Sequence, residues 1–355
     1  MEKPIILQEG QYTEADLNTF KSSQRIWQTL DIIEKQLEEL FEISNPGSAL
    51  LADREQQCAV FVKNHLGSQP NLKGNWVYFP WSGELIHMLT ADEHQLLLTN
   101  RNRNLITKEE QLEISKFRVG IVGLSIGNSL ALTLAHGGFR NFVLADFDVL
   151  STANLNRIRA SVVDIGVEKI NITCRQIYKL NPYADLTSFN RGLKEQDLDT
   201  YFNESAPNLI LEVIDDFAMK IRIRQRARQL GIPVIMPTSL GDSVLFDVER
   251  YDLDPQLPIF NGLIGSTPED ILSGPISESD KQRYAIAIVG RENVPDRAIQ
   301  SVMEINKTLV GRPQLMSTVA AGSGITSFIV RQIALKQNLA SGRYRFSFEE
   351  LLEIK

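Results

Sequence analysis

A glycine-rich turn is the first feature of this sequence whose residue types could do chemistry. Residues 119–122 form a short apolar run rich in β-branched side chains. Gly123, Ser125 and Gly127 follow it, and a helical apolar pattern begins directly afterwards. In a strand–turn–helix arrangement, glycines let the backbone approach phosphate oxygens, and the helix N-terminus offers free N–H donors. The turn is one residue shorter than a full dinucleotide-binding motif. By itself it fits either a nucleotide-phosphate site or an ordinary tight turn.

Two acidic residues follow the next apolar run. Residues 142–145 predict a second buried strand, and Asp146 and Asp148 come directly after it. An acid at the carboxyl end of the second strand of such a unit is placed to bind a ribose hydroxyl. The sequence therefore predicts Asp146 as a ribose ligand.

Polar and cationic side chains lie just beyond these acids. Asn154, Arg157 and Lys169 supply an amide, a guanidinium and an ammonium. Stabilising the charge that moves on a triphosphate needs such cations, whereas hydride transfer does not. Asp215 ends the apolar run 209–214 and is expected at the rim where doubly wound sheets bind ligands. The duller alternative is that Lys169 and Asp215 form a structural ion pair.

Arg101 and Arg103 precede the glycine turn and are flanked by asparagines. Neither has an obvious acidic partner at helical spacing. They fit a solvated loop, or a pair of arginines that reach phosphate, since the guanidinium offers a rigid fork of donors to phosphate oxygens.

Composition excludes several classes of function. The 355 residues are 43% hydrophobic and carry a net charge of −7, so there is no general attraction to nucleic acid or an anionic membrane. Cys58 and Cys174 have no nearby cysteine partner and are expected to be reduced thiols. No signal peptide and no apolar run near ~20 residues is visible, so we expect a cytoplasmic protein without a membrane span.

Two parts are predicted: an accessory region at residues 1–97 and an α/β domain at residues 98–355. The accessory region is expected to contain a helix from a capping box at residues 13–16 to Phe41, a second helix at 49–65, and a hairpin of 76–81 with 85–89.

In the second part, apolar runs alternate with helical patterns, which predicts a doubly wound, Rossmann-like, mostly parallel sheet. The predicted parallel strands are residues 119–122, 142–145, 185–189, 209–214 and 233–236. The helix that carries Lys220 to Arg228 is predicted to expose its cations to solvent. The expected later elements are a strand at 242–251, an irregular crossover or substrate-covering loop at 254–280, a helix at 326–337 and an edge strand at 343–348.

The order of these motifs resembles the ThiF/MoeB-type adenylyltransferases of thiamine and molybdopterin biosynthesis, a superfamily shared with ubiquitin-activating enzymes. The resemblance covers residues 98–352, and the first hundred residues are similar to a bacterial branch with an extra N-terminal region. The matching motifs are the glycine turn, Asp146-Phe147-Asp148, Asn154-Leu155-Asn156-Arg157, the stretch from Asp164 to Lys169, Asn181-Pro182 and Asp215.

This resemblance implies ATP- and Mg²⁺-dependent adenylation of a carboxylate, with release of pyrophosphate. The carboxylate would belong to the C-terminus of a ubiquitin-like protein, a peptide or a small acid. The resemblance also implies a two-fold homodimer in which Arg101 or Arg103 reaches the partner's nucleotide. The implied nucleotide ligands are Gly123, Ser125, Gly127, Asp146, Asp148, Asn154, Arg157 and Lys169; the implied catalytic residues are Arg101, Arg103, Arg157, Lys169 and Asp215, with Asp215 as the Mg²⁺ ligand.

The sequence departs from the family in its cysteines. It lacks the paired cysteines of a zinc site, so zinc is not expected. It has no cysteine between residues 242 and 290, where thioester-forming relatives keep theirs, so adenylation without an enzyme-bound thioester is expected. Two alternatives stay open: a nicotinamide-dependent oxidoreductase on the same fold, and a non-catalytic scaffold subunit of a heterodimeric activating enzyme.

Overall fold

A computed structural model describes residues 2–353 of the chain and divides them into two compact units. The first unit contains residues 2–111, 136–138 and 177–184, and the second contains 112–135, 139–176 and 185–353. The predicted boundary between residues 97 and 98 lies inside a helix of the first unit. No helix among residues 2–353 has the length and apolar character that crossing a membrane requires.

The first unit is built around a four-stranded sheet of order β1-β3-β4-β2. Its elements are β1 (Ile5–Leu7), α1 (Glu14–Ser23), β2 (Gln28–Asp31), α2 (Ile33–Ser44), α3 (Arg54–Leu66), β3 (Asn75–Phe79), β4 (Glu84–Met88) and α4 (Ala91–Thr99). Strands β3 and β4 pair antiparallel, as the predicted hairpin required. Strands β1 and β2 were not predicted.

The predicted single helix from the capping box to Phe41 is wrong. The box itself is present, because Thr13 and Asp16 exchange hydrogen bonds at the start of α1. The chain then leaves the helix and forms β2, which pairs in parallel with β4. Trp27, which lies within the stretch predicted to be helical, is 68% exposed. Hydrogen bonding to a distant strand outweighed the local helical spacing. The second helix also begins later than predicted, at Arg54.

The second unit begins within α5 (Lys108–Lys116), the short helix that leads into its first strand. Its elements are β5 (Arg118–Val122), α6 (Ile126–His136), β6 (Asn141–Ala145), α7 (Lys169–Leu180), β7 (Asp185–Phe189), β8 (Leu209–Glu212), α8 (Phe217–Leu230), β9 (Val234–Leu240), β10 (Ser243–Glu249), α9 (Pro268–Leu272), α10 (Glu278–Val289), α11 (Asp296–Glu304), α12 (Met316–Ala334), β11 (Gly342–Ser347) and α13 (Phe348–Leu351).

A seven-stranded sheet of order β11-β10-β9-β8-β5-β6-β7 forms the centre of the second unit. Strands β9, β8, β5, β6 and β7 are parallel neighbours, while β10 and β11 pair antiparallel at one side. The predicted α/β class and mostly parallel sheet are confirmed. Since β5, β6 and β8 are parallel, the segments after them meet at the same edge, and these carry the glycine turn, Asp146 and Asp215.

Later boundaries differ from the predictions. Helix α12 begins at Met316 rather than near Thr326, although its first half contains two glycines. A Cβ on one of them, Gly322, would lie 3.4 Å from the Val244 side chain of β10, so the lack of a side chain allows the helix to pack close to the sheet. Helix α9 and the start of α10 also lie within the segment 254–280 that was predicted to be irregular.

The prediction that α8 exposes all its cations is wrong at Arg224, which is fully buried. Its guanidinium donates hydrogen bonds of 2.7 Å to both Glu212 and Glu249, which are buried too. The Lys220 ammonium lies 2.8 Å from the second oxygen of Glu212. Spacing along α8 could not reveal this cluster, because its carboxylates come from β8 and β10.

The two buried carboxyls of this cluster respond differently to their surroundings. Burial acts to raise the pKa of both. At Glu212 the two cations Lys220 and Arg224 prevail, and its pKa lies below the ordinary range. At Glu249, whose cationic hydrogen-bond partner is Arg224 alone, burial prevails and the pKa is raised.

Candidate nucleotide site

The glycine turn between β5 and α6 has a backbone that only glycine adopts readily. Gly123 has a φ of +94°, and its N–H donates a 2.8 Å hydrogen bond to the carbonyl oxygen of Ala145. A Cβ at Gly123 would lie 2.7 Å from the backbone oxygen of Val213. At Gly127, in the first turn of α6, a Cβ would lie 3.0 Å from Ile121. The glycines therefore hold α6 close to the sheet and bring the turn to the strand ends.

Gly123→Ala is expected to destabilise the protein by about 1–3 kcal/mol, because a positive φ strains an alanine and its Cβ meets the backbone of Val213. Urea denaturation measures the loss. Gly166→Ala is the matched control: its φ is +85°, but no heavy atom lies within 4 Å of its built Cβ. Equal losses in the two variants would show that backbone strain alone, without the contact, sets the effect.

Asp146 lies at the end of β6, next to the glycine turn, and is buried. One carboxylate oxygen accepts a 2.5 Å hydrogen bond from the Leu124 N–H, and the other accepts a 2.7 Å hydrogen bond from the Asp148 N–H. Burial raises the pKa of the Asp146 carboxyl, while these two donors act in the opposite direction. The carboxylate is thus fixed in place, and each oxygen keeps a lone pair for a further donor.

Lys169 and Asp148 are brought together beside this acid. The Lys169 ammonium is 2.8 Å from Asp148 Oδ2, and the Lys169 side chain is only 7% exposed. The backbone N–H of Lys169 also donates a 2.9 Å hydrogen bond to the Asp148 carbonyl oxygen. The ion pair between Lys169 and Asp215 that the sequence left open is absent, because Lys169 pairs with Asp148 and Asp215 pairs with Arg312.

Arg157 reaches back to the glycine turn. Its Nε donates to the Ser125 hydroxyl at 3.3 Å, and its Nη1 donates to Asn156 Oδ1 at 2.9 Å. Burial lowers the pKa of the Arg157 guanidinium. Asn154 is nearby in the chain, but its side-chain oxygen accepts a 3.2 Å hydrogen bond from the Ser151 N–H and caps a short turn. Arg157 thus contacts the glycine turn, to which Asp146 is hydrogen-bonded at Leu124, and Lys169 pairs with Asp148.

Asp215 lies three residues beyond the end of β8, and its side chain is 89% exposed. One of its carboxylate oxygens accepts a hydrogen bond from the guanidinium of Arg312. Among residues 2–353, no group of three or more His, Cys, Asp or Glu side chains could hold a metal ion. A single exposed carboxylate still fits Mg²⁺, which is commonly held by one or two carboxylates together with substrate phosphates and water.

The ThiF family model matches residues 99–246, the stretch that carries the glycine turn, Asp146, Arg157, Lys169 and Asp215. The chain contains a ThiF-family domain.

Several known proteins are similar to this chain. A Mycobacterium tuberculosis (strain CDC 1551 / Oshkosh) protein named uncharacterized protein MT1398 is 37% identical over 279 residues, covering 78% of this chain and 38% of its own length. The molybdopterin-synthase adenylyltransferase of Haemophilus influenzae is 25% identical over 248 residues, covering 67% of this chain and 95% of that protein. The chain thus spans well under half of the Mycobacterium relative. The crystal structure of Escherichia coli MccB with ATP shares 15% identity, with a TM-score of 0.48, covering 84% of this chain and 76% of that chain.

Two polar residues near the candidate site, Asn128 and Arg312, were missed by sequence reasoning. Asn128 is buried in α6; its amide donates to Thr173 and Gln176 at 3.0 and 2.9 Å and accepts from the Arg159 N–H at 3.1 Å. A lone amide in an apolar helix is a signal that could have been noticed. Arg312 carries no such signal, since its partner lies 97 residues away.

The other residues considered in the sequence analysis are two arginines and the two cysteines. Arg101 and Arg103 are exposed side chains of the first unit. Cys174 is fully buried, and burial raises the pKa of its thiol to about 12. Cys58 is partly exposed, and burial followed by the charges of Glu38 and Glu42 raises the pKa of its thiol. Neither cysteine is paired in a disulfide.

Proposed function

We propose that the ThiF-family domain uses ATP to adenylate a carboxylate. The observation that carries this proposal is the grouping of Arg157 and Lys169 around the glycine turn and the buried Asp146. In the reaction, a carboxylate oxygen attacks the α-phosphorus, and the bond between that phosphorus and the bridging oxygen of the β-phosphate breaks. An acyl adenylate and pyrophosphate result. No protein nucleophile is needed, so catalysis consists of positioning and charge stabilisation.

Each side chain takes a role that its geometry supports. Asp146, with a lone pair left on each oxygen, binds the ribose hydroxyls, and Asp148 holds the Lys169 ammonium in place. The cations Arg157 and Lys169 bind the polyphosphate and offset the charge that develops on pyrophosphate as it leaves. Asp215 would hold Mg²⁺, which would supply divalent positive charge to the phosphates. The glycine turn, Ser125 and Asn154 complete the predicted phosphate ligands.

The carboxylate that we propose is the C-terminus of a ubiquitin-like protein or a peptide. Support comes from the names of two relatives, the molybdopterin-synthase adenylyltransferase of Haemophilus influenzae and the sulfur carrier protein ThiS adenylyltransferase of Escherichia coli. The raised thiol pKa of both cysteines disfavours a reactive thiolate, which supports a reaction without an enzyme-bound thioester.

Pyrophosphate exchange into ATP tests the proposal directly. The protein is incubated with ATP, Mg²⁺ and labelled pyrophosphate against a panel of ubiquitin-like proteins, peptides and small carboxylic acids. Label should enter ATP only when a cognate carboxylate is present. Calorimetry with ATP and with nicotinamide dinucleotides separates the main alternative: tight binding of a nicotinamide dinucleotide, with no binding of ATP, would refute adenylation and favour an oxidoreductase.

A two-fold homodimer is the assembly we expect, in which Arg101 or Arg103 reaches the nucleotide of the neighbouring subunit. The reason is that both arginines are exposed, so their guanidinium donors are available to bind phosphate oxygens. Light scattering at micromolar concentration should give twice the mass of one chain. A monomer mass would contradict the dimer and would require both arginines to act within their own chain.

A further inference from the structure

Residues 312–314, called the strap below, contact both Asp215, the predicted Mg²⁺ ligand, and Asn156, the residue before Arg157. Arg312 donates a hydrogen bond from its guanidinium to Asp215. The backbone oxygen of Gln314 accepts a 2.8 Å hydrogen bond from the Asn156 amide, whose own oxygen accepts a 2.9 Å hydrogen bond from Arg157. The strap therefore connects the acid that follows β8 with the arginine that contacts the glycine turn.

We propose that Arg312 occupies Asp215 when no nucleotide is bound, and that it must leave this carboxylate before Asp215 can hold Mg²⁺ with ATP. The inference rests on the proposed function. A guanidinium and a divalent cation both seek carboxylate oxygens, and their like charges repel when both lie on one carboxylate. Arg312 thus competes with the metal and sets the Mg²⁺ concentration at which ATP binds in its metal-bound form.

The contacts that hold the strap against Asp215 are weak enough to break. Arg312 and Asp215 are 62% and 89% exposed, and ion pairs at such exposure are weak. The side-chain oxygen of Gln314 is buried but accepts no hydrogen bond from any residue in the described range 2–353. A buried acceptor without a donor destabilises the arrangement in which Arg312 contacts Asp215.

Within the described range, the chain just before the strap has no regular element that would fix Arg312 in place. Gly311, the residue before Arg312, has no heavy atom within 4 Å of a built Cβ. No helix or strand lies between the end of α11 at Glu304 and the start of α12 at Met316, in this fully described segment. Rotation about Gly311 can therefore move Arg312 away from Asp215 without disturbing a regular element.

The test is calorimetric titration with ATP at a series of Mg²⁺ concentrations, with EDTA as the metal-free point. Arg312→Gln removes the competing charge and should lower the Mg²⁺ concentration that gives half of the metal-dependent gain in ATP affinity by about two- to fivefold. The ATP affinity in EDTA should stay within about twofold, since the variant leaves the proposed phosphate ligands in place. In an Asp215→Asn background, Arg312→Gln should have no effect, because the carboxylate for which the two cations compete is gone.

Arg291→Gln is the matched control, since it breaks another exposed pair, that of Arg291 and Asp296, at 63% and 87% exposure. It should leave the Mg²⁺ dependence unchanged. An unchanged Mg²⁺ dependence in Arg312→Gln would overturn the inference while leaving the proposed function standing. Weaker ATP binding in both metal-free and metal-bound forms would also overturn it, and would make Arg312 a phosphate ligand. Absence of ATP binding by the unaltered protein at every Mg²⁺ concentration would remove the proposed function and the inference together.

Discussion

Asp215→Ala is expected to reduce pyrophosphate exchange by about two to three orders of magnitude, which is the usual effect of removing a group that stabilises transition-state charge. The melting temperature should not change. The Asp215 side chain is 89% exposed and its ion-pair partner is the exposed Arg312, so no buried contact is lost with the carboxylate. Exchange assays and thermal unfolding on the same samples measure both quantities.

Asp296→Ala is the control for this variant, because Asp296 is the acid of an equally exposed pair, that with Arg291. Its exchange rate and melting temperature should match those of the unaltered protein. Full exchange by folded Asp215→Ala protein would contradict the assignment of Asp215 as the metal ligand. A loss of exchange that only followed a loss of folded protein would make Asp215 a structural residue.

Arg224→Met is expected to cost about 3–5 kcal/mol of the free energy of unfolding, the effect of removing one partner from a buried ion pair. Arg224 is the cation that both Glu212 and Glu249 contact at 2.7 Å, and all three side chains are buried. Methionine fills part of the volume but leaves Glu249 without a cation. Urea denaturation monitored by far-ultraviolet circular dichroism, which follows the helices of both units, gives the change.

Arg222→Met, two residues earlier on α8, is the control. Arg222 pairs with Glu195, whose side chain is 70% exposed, so this variant should lose less than about 1 kcal/mol. Glu249→Gln in the Arg224→Met background should recover part of the loss, because it removes the uncompensated charge. If Arg224→Met unfolded no more easily than Arg222→Met, the cluster would not stabilise the fold.

Local signals account for the parts of the fold that the sequence predicted well. The parallel strands β5, β6 and β8 are short apolar runs that end in or at a glycine or an acid, and the order of such runs determines the sheet. The glycine turn was visible because a positive φ limits the residue types that can occupy it.

Other features depend on residues far apart in the chain, and local patterns carry no trace of them. Strand β2 lies within the stretch that was predicted as a single helix. Local spacing did not reveal it, because its partner, β4, lies far along the chain. The burial of Arg224 depends on carboxylates from two other strands, and the partner of Asp215 lies 97 residues away. Charge spacing along one helix cannot distinguish a solvated cation from a buried one.

The first unit is completed by residues 177–184, which the chain reaches only after building β5, α6 and β6. The Tyr183 hydroxyl donates a 2.6 Å hydrogen bond to the backbone of Leu89 and accepts one of 3.0 Å from Asn75. On the ribosome, the N-terminal segment therefore cannot finish folding until residue 184 has emerged, and it must wait in an incomplete state while most of the ThiF-family motifs are synthesised. A fragment cut at residue 111 would keep Asn75 and Leu89 but lose the tyrosine that joins them.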